Sequence, residues 1–239
     1  MSIMQLNYLS PVFLLSLAFV SGTKGQGFCP DPDQTSPCTC SHDETSYSVT
    51  VDCSRATSTD EISSAFNDAD WSFTNLTEFR LVNNEAIQEF PESMFGNITF
   101  EKIYVWNTAV SVVHPSSLLT SKDRLQHLSI TSSRIEEFPW EILFELTSLV
   151  ELDLHGNILA TLPALESPSL ELLVVEGNKL SALENNWKIP NLKILDIGSG
   201  NSMPPSFSLI RFLCLLVEKK YLEKRPTQKL WSGETHNKI

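Results

Sequence analysis

The sequence predicts an α/β solenoid, with short parallel strands on a concave face, short helices or 3-10 turns on a convex face, and a disulfide-bonded cap at the amino end. Three observations point to it. An apolar pattern recurs from residue 76 to residue 200 at steps of 21–25 residues. Four of the 5 cysteines fall within 25 residues, directly ahead of that repeat. The composition, 41% hydrophobic and 19% charged over 239 residues, is that of a chain with a core to bury. The net charge of -12 argues against nucleic acid as a partner, because phosphate recognition draws on Lys and Arg to release counterions.

The first element is a secretory signal peptide over residues 1–22. No charged side chain occurs in it, and the apolar run Val12 to Val20 has the length of a signal-peptide centre. Nine residues of helix reach ~14 Å, against a bilayer core of ~30 Å, so the run is too short to span. No later window reaches 18 apolar residues. The mature chain is expected to be secreted and extracellular, with no membrane span.

An oxidising destination decides how the cysteines of the cap, residues 23–58, are read. Cys29, Cys38, Cys40 and Cys53 have the spacing C-x8-C-x-C-x12-C, with no second C-x2-C or His pair to complete a zinc site. Two disulfides are expected. Joining Cys38 to Cys40 would close a small strained ring, which leaves two connectivities open. Two sequons follow, Asn75-Leu76-Thr77 and Asn97-Ile98-Thr99, and in a secreted chain Asn75 and Asn97 are candidates for N-glycosylation.

The repeat itself occupies residues 59–201. The segments LTEFRLVNN from Leu76, FEKIYVWNT from Phe100, LQHLSITSS from Leu125, LVELDLHGN from Leu149, LELLVVEGN from Leu170 and LKILDIGSG from Leu192 align without gaps. Each has apolar residues at positions 1, 4 and 6 and a polar or small residue at position 9. Period-2 apolar residues describe one short strand with a buried inner face. An Asn at position 9 (Asn84, Asn157, Asn178) has a side chain able to bond the backbone where the chain leaves the strand. Thr108 and Ser133 keep a hydroxyl in that column, and Gly200 keeps nothing. The pattern resembles the leucine-rich repeat, L-x-x-L-x-L-x-x-N-x-L. The linking stretch FPWEILFELTS, from Phe138 to Ser148, is expected to form a helix or 3-10 turn. Thr59 to Phe73 reads as one more, degenerate unit joining the repeats to the cap, which would cover their exposed flank.

The sequence holds no P-loop, no G-x-G-x-x-G, no H-E-x-x-H and no G-x-S-x-G. Candidate functional residues are therefore those facing outward from the strands. The central column reads Arg80, Tyr104, Ser129, Asp153, Val174, Asp196, and a neighbouring one carries Trp106, His155 and Glu176. Strands ~4.8 Å apart would gather His127, Glu151, Asp153, His155 and Glu176 into one patch. A metal or general-base site there is set against a hydrated acidic face, and the second is preferred. Tyr104 and Trp106 are the stronger candidates, since outward aromatics serve as binding hot spots. No cofactor, metal or catalytic residue is assigned.

The runs CPDPDQTSPCTCS with DCS, FPESMFGN, FPWEILFELTSLVELDLHGN and PNLKILDIGSGN resemble an arthropod group, the oplophorus-luciferin 2-monooxygenase non-catalytic subunits and their relatives. The resemblance covers about Cys29 to Asn201. It implies a leucine-rich-repeat protein with a cysteine-rich amino-terminal flank, whose usual cross-pairing would give Cys29 with Cys40 and Cys38 with Cys53. It also implies a secreted, non-enzymatic partner of a small catalytic subunit that oxidises a luciferin. The alternative is a receptor-like, matrix or innate-recognition module. Either would bind its protein partner on the concave face, through Arg80, Tyr104, Trp106, His127, Asp153, His155 and Glu176.

The chain departs from that group after Asn201. Residues 205–239 hold 7 basic and 3 acidic side chains, a charge of +4, while residues 1–204 carry -16. Apolar spacing from Leu209 to Tyr221 suits a helix ending before Pro226. The tail, residues 202–239, is either a helix covering the last unit or an aberrant end, helical or disordered, and the aberrant end is preferred. On both readings Cys214 has no partner.

Overall fold

The computed structural model describes residues 27–198. The expected signal peptide, Gly200, and the tail with Cys214 lie outside the described residues. The described chain is a mixed α/β structure built on one eight-stranded sheet. Strands β1 (Thr39–Asp43) and β2 (Ser48–Asp52) form an antiparallel hairpin, and β2 continues in parallel with β3 (Glu78–Asn84). Then follow β5 (Lys102–Thr108), β7 (His127–Thr131), β8 (Glu151–Asp153), β10 (Leu172–Val174) and β12 (Ile194–Asp196), all parallel and all in chain order. Register places Phe79, Ile103, Leu128, Leu152, Leu173 and Leu195 side by side. Those residues stand at the fourth position of each repeat segment, so the repeat spacing is the strand-to-strand step.

The crossovers between these strands carry short elements. Two small parallel pairs lie in them, β4 (Glu89–Phe90) with β6 (Val112–Val113), and β9 (Thr161–Leu162) with β11 (Ala182–Leu183). Helices are few: α1 (Pro32–Thr35), α2 (Thr59–Asn67) and α3 (Pro115–Leu119), plus a 3-10 turn at Trp140–Phe144 inside the FPWEILFELTS stretch. The degenerate unit is thus mainly α2. Ser58 caps it by accepting from the Glu61 amide, and the Glu61 carboxylate accepts from the Thr57 amide, which lowers its pKa. Ile62, Ala65 and Phe66, at i, i+3 and i+4, form its buried face.

The core lies between the sheet and the crossovers. Phe79 and Leu81, Ile103 and Val105, Leu128 and Ile130, Leu152 and Leu154, Leu173 and Val175 are each at most 1% exposed. Between α2 and the first two repeat strands, Phe66, Phe79, Phe95 and Phe100 pack with ring centroids 4.9–6.0 Å apart, within the range of favourable aromatic pairs. Gly96 makes that approach possible: its φ is +52°, and a Cβ there would overlap the Asn67 carboxamide, which itself donates to Ser63 O at 2.8 Å.

Two columns end each strand. At position 8, Asn83, Asn107, Ser132, Gly156 and Gly177 all have φ between 49° and 67°, the left-handed conformation that turns the chain off the sheet. At position 9 the side chains are buried and bonded. Asn157 Nδ2 donates to Ile130 O at 2.6 Å and Leu154 O at 3.0 Å, and its Oδ1 accepts from Ile135 N at 3.0 Å. Asn178 repeats this one unit later, with Leu154 O, Val175 O and Leu159 N. Asn84 reaches back into the cysteine-rich segment, donating to Ser54 O and Ala56 O. Thr108 and Ser133 bond each other through their hydroxyls at 2.8 Å.

The cysteine-rich segment is part of the same sheet. Cys29 is bonded to Cys40 and Cys38 to Cys53, with Cα–Cα distances of 5.7 and 4.1 Å. Cys38 and Cys53 are buried in the core that β2 shares with β3. Among the described residues no helix is long and apolar enough to cross a membrane.

Candidate functional site

Strand alternation sends positions 4 and 6 into the core, so positions 3, 5 and 7 face outward. Register converts them into rows. The first reads Glu78, Lys102, His127, Glu151, Leu172, Ile194, and the second Arg80, Tyr104, Ser129, Asp153, Val174, Asp196. The third begins Val82, Trp106, Thr131. His155 and Glu176 continue it past the paired residues, with Ser132 N donating to His155 O and Gly156 N to Glu176 O.

Arg80, Tyr104 and Trp106 form the aromatic end of this face. The Arg80 guanidinium carbon lies 5.6 Å from the Tyr104 ring centroid, a cation–π distance, and its Nε donates to the Glu78 carboxylate. Trp106 is 39% exposed, which makes it one of the largest apolar side chains left open on the described surface. Beside it Asn107 Nδ2 donates to Asn83 Oδ1 at 2.7 Å, which steadies the two turns at the strand ends. Thr131, the register partner of Trp106, is outward by alternation yet only 2% exposed.

The His and carboxylate residues sit together on the middle of the face, but as separate pairs. His127 Nδ1 lies 3.2 Å from Glu151 Oε2 across two strands. This hydrogen bond holds the Glu151 carboxyl below its ordinary value, against the opposing effect of burial. His155 Nδ1 lies 3.0 Å from Asp153 Oδ1 on its own strand, and the same oxygen accepts from the His155 amide. Glu176 packs where a Cβ on Gly198 would stand. Among the described residues no three His, Cys, Asp or Glu side chains converge as a metal site would require. The chemistry on offer is hydrogen bonding and charge, presented on a sheet.

Asn75 and Asn97 are exposed and stand just ahead of β3 and β5. Asn75 bridges to Thr99, whose hydroxyl donates to Asn75 Oδ1 at 3.1 Å. Both sequons therefore lie at the edge where the strands begin, whereas Trp106 lies near the end where they finish.

Two features were not read from the sequence. An aromatic group on the cysteine-rich segment stacks Phe28 on His42 at 3.8 Å, and with Tyr47, 76% exposed, lines an open cleft. Nothing in the spacing signals it, because the disulfide and hairpin bring those residues together. The second is Arg124, whose guanidinium donates to Leu76 O, Thr99 O and the Glu101 carboxylate and so ties three repeat segments together. A lone Arg just before an apolar column was the only signal.

No family model matches the chain. It is 29% identical over 153 residues to the Oplophorus-luciferin 2-monooxygenase non-catalytic subunit of Oplophorus gracilirostris, and it resembles that family. The match takes in 64% of this chain and 42% of that protein, so the chain spans less than half the length of the relative it matches.

Proposed function

We propose that this chain is a secreted leucine-rich-repeat solenoid that binds and scaffolds a protein partner and is not itself an enzyme. The concave side of the solenoid is the outward sheet face, and the partner takes the place that a catalytic subunit has beside a non-catalytic one. The observation that carries the reading is the juxtaposition of Arg80, Tyr104 and Trp106 on adjacent strands, with Trp106 open to solvent. Aromatics and Arg supply most of the energy at protein interfaces, and rigid strands hold these three without further ordering. The His127–Glu151 and His155–Asp153 pairs extend the face and supply charge complementarity beside the anchors.

The proposed compartment is extracellular, and different residues support it. Two disulfides, a signal-peptide-like residue 1–22 segment and sequons at Asn75 and Asn97 all belong to an extracellular protein. Residues 23–58 act as the cap and 59–201 as the repeat body. Glycans on Asn75 and Asn97 would occupy the edge where the strands begin and leave Trp106 accessible.

The test is affinity capture from native secretions with the mature chain, followed by mass spectrometry. A small luciferin-oxidising protein among the captured species supports the reading. Capture of microbial glycans or cell-surface proteins instead supports the receptor-like alternative. Tyr104→Ala with Trp106→Ala is expected to weaken capture about 30-fold, as for a hot-spot loss of ~2 kcal/mol. Undiminished capture would refute the face assignment. Luciferin oxidation by the purified chain, abolished by His155→Ala or Asp153→Ala, would refute the non-enzyme reading.

A further inference from the structure

The two ends of the sheet are closed differently. Beyond β3, the disulfide-bonded hairpin β1–β2 covers the first repeat strand. At the other end β12 is the edge strand among the described residues, and burial falls there in a single step. Leu173 is fully buried, while its register partner Leu195 is only partly so. Leu165 and Leu170 are 1% and 0% exposed, whereas Trp187, Ile189 and Leu192 in the following layer are only partly buried.

Trp187 adds a polar observation. Its indole N–H is shielded from solvent and has no hydrogen-bond partner among the described residues. Glu166 bridges to Lys188, which sets Trp187 in the last layer at the level of Leu165 in the layer beneath. A buried donor without an acceptor is costly, so whatever completes this layer is expected to bring one. An apolar flank of this kind also invites association with other chains.

The sequence holds a segment with the matching need. Residues 207–217 read FSLIRFLCLLV, in which nine of eleven side chains are apolar, and Leu209, Phe212, Leu213 and Leu216 recur at helical spacing. Such a segment must itself be covered. Only residues 199–206 separate it from Gly198, which gives a short tether and a high effective concentration at the flank. The two parts of the chain also differ in net charge, residues 205–239 carrying +4 and the preceding 204 residues -16. A second copy of the chain would bring like charge to like charge.

Against the aberrant end that the sequence alone favours, we propose that residues 207–221 dock on the carboxyl flank of the sheet, over Leu195, Leu192 and Trp187, and cap it. The proposal stands apart from the partner reading and does not depend on it. Cys214 is a built-in reporter, since the other four cysteines are paired. In the full chain, with disulfides intact, Cys214 is expected to react with a maleimide at least about 100-fold more slowly than in urea, as for a local opening of ~3 kcal/mol. Leu195→Asp should restore fast labelling, while amide hydrogen exchange in β3 and β5 stays slow and shows that the rest is folded. In the wild-type chain, amides 209–217 and 192–197 should be protected together, a readout that needs no variant. Native labelling at the urea rate overturns the proposal. So does protection that ignores Leu195→Asp, or that appears only at concentrations where light scattering finds a dimer.

Discussion

Asn157 is where the architecture is most open to a quantitative test. Its side chain is 4% exposed and holds backbone groups of two successive repeat segments. Asn157→Ala removes an acceptor from Ile135 N and donors from Ile130 O and Leu154 O. Leu154 O keeps Asn178 Nδ2 at 2.9 Å, so its loss is partial. Two groups, Ile135 N–H and Ile130 O, are left without the side chain that bonded them in a buried site. At ~1–3 kcal/mol for each orphaned group, the variant should lose about 4 kcal/mol, against a total of ~5–15 kcal/mol for a domain. With a guanidinium m-value of ~4 kcal/mol/M, the midpoint should fall by about 1 M. The assay is equilibrium unfolding with the disulfides intact. Asn191→Ala is the control, because Asn191 is exposed and makes one bond, to Pro168 O at 2.6 Å, and should cost under ~1 kcal/mol. Asn157→Thr should fall between them, since Thr108 fills the same column with a hydroxyl. A loss below ~1 kcal/mol for Asn157→Ala, or one equal to the control, would refute the view that this column holds the strands in register.

Other outcomes follow from single residues. Gly96→Ala should cost about 2 kcal/mol or more by thermal unfolding, because φ is +52° and the new Cβ meets Asn67. Ser132→Asn should raise stability by about 0.5 kcal/mol, since Ser132 sits at φ 49° in a column where Asn83 and Asn107 take the same conformation; a lower melting point would argue otherwise. Asp43 should titrate at about 2 by carboxyl NMR rather than at 3.8, because the Thr45 and Ser46 hydroxyls donate to it. A depressed carboxyl pKa contributes stability that is present above 3.8 and lost as pH falls through about 2. Thr45→Ala with Ser46→Ala should return the titration toward 3.8. Glu151 obeys the same sign: its contribution is present above 4.5 and lost as pH falls through the lower folded value, and His127→Ala should move it back toward 4.5.

The strand positions were legible because they rest on chain-local regularities. Side chains at positions 4 and 6 alternate with outward ones, and their spacing along the chain became the register across the sheet. The same alternation identified Arg80, Tyr104, Trp106, His127, Asp153, His155 and Glu176 as residues of the outward side. It did not show how they pair. His127 takes its carboxylate from the next strand and His155 from its own, a difference set by side-chain reach that no column reveals. The left-handed column was hidden for another reason. Asn83, Asn107, Ser132, Gly156 and Gly177 share a backbone angle rather than a chemical type, and polar or small residues there look like ordinary turn composition. The Phe28–His42 stack depends on the Cys29–Cys40 disulfide and a hairpin acting together, so it arises only in three dimensions.

The columns also divide the labour of the sheet in a way that bears on how it could evolve or be engineered. Positions 4, 6 and 9 are committed to the core and to backbone bonds, with residues such as Leu152, Leu154 and Asn157 almost wholly buried. Positions 3, 5 and 7 face outward and, Thr131 apart, stay at least partly open to solvent. Arg80, Tyr104 and Trp106 hold no buried backbone group, so removing them should change stability by no more than ~0.5 kcal/mol each beyond lost packing. Binding and folding are then separable quantities on the same strands. A variant at Asn157 that lost capture would do so by unfolding, and one at Trp106 would do so with its melting point intact. If the outward rows bind a partner as proposed, that separation would let them change while the inner rows stay fixed.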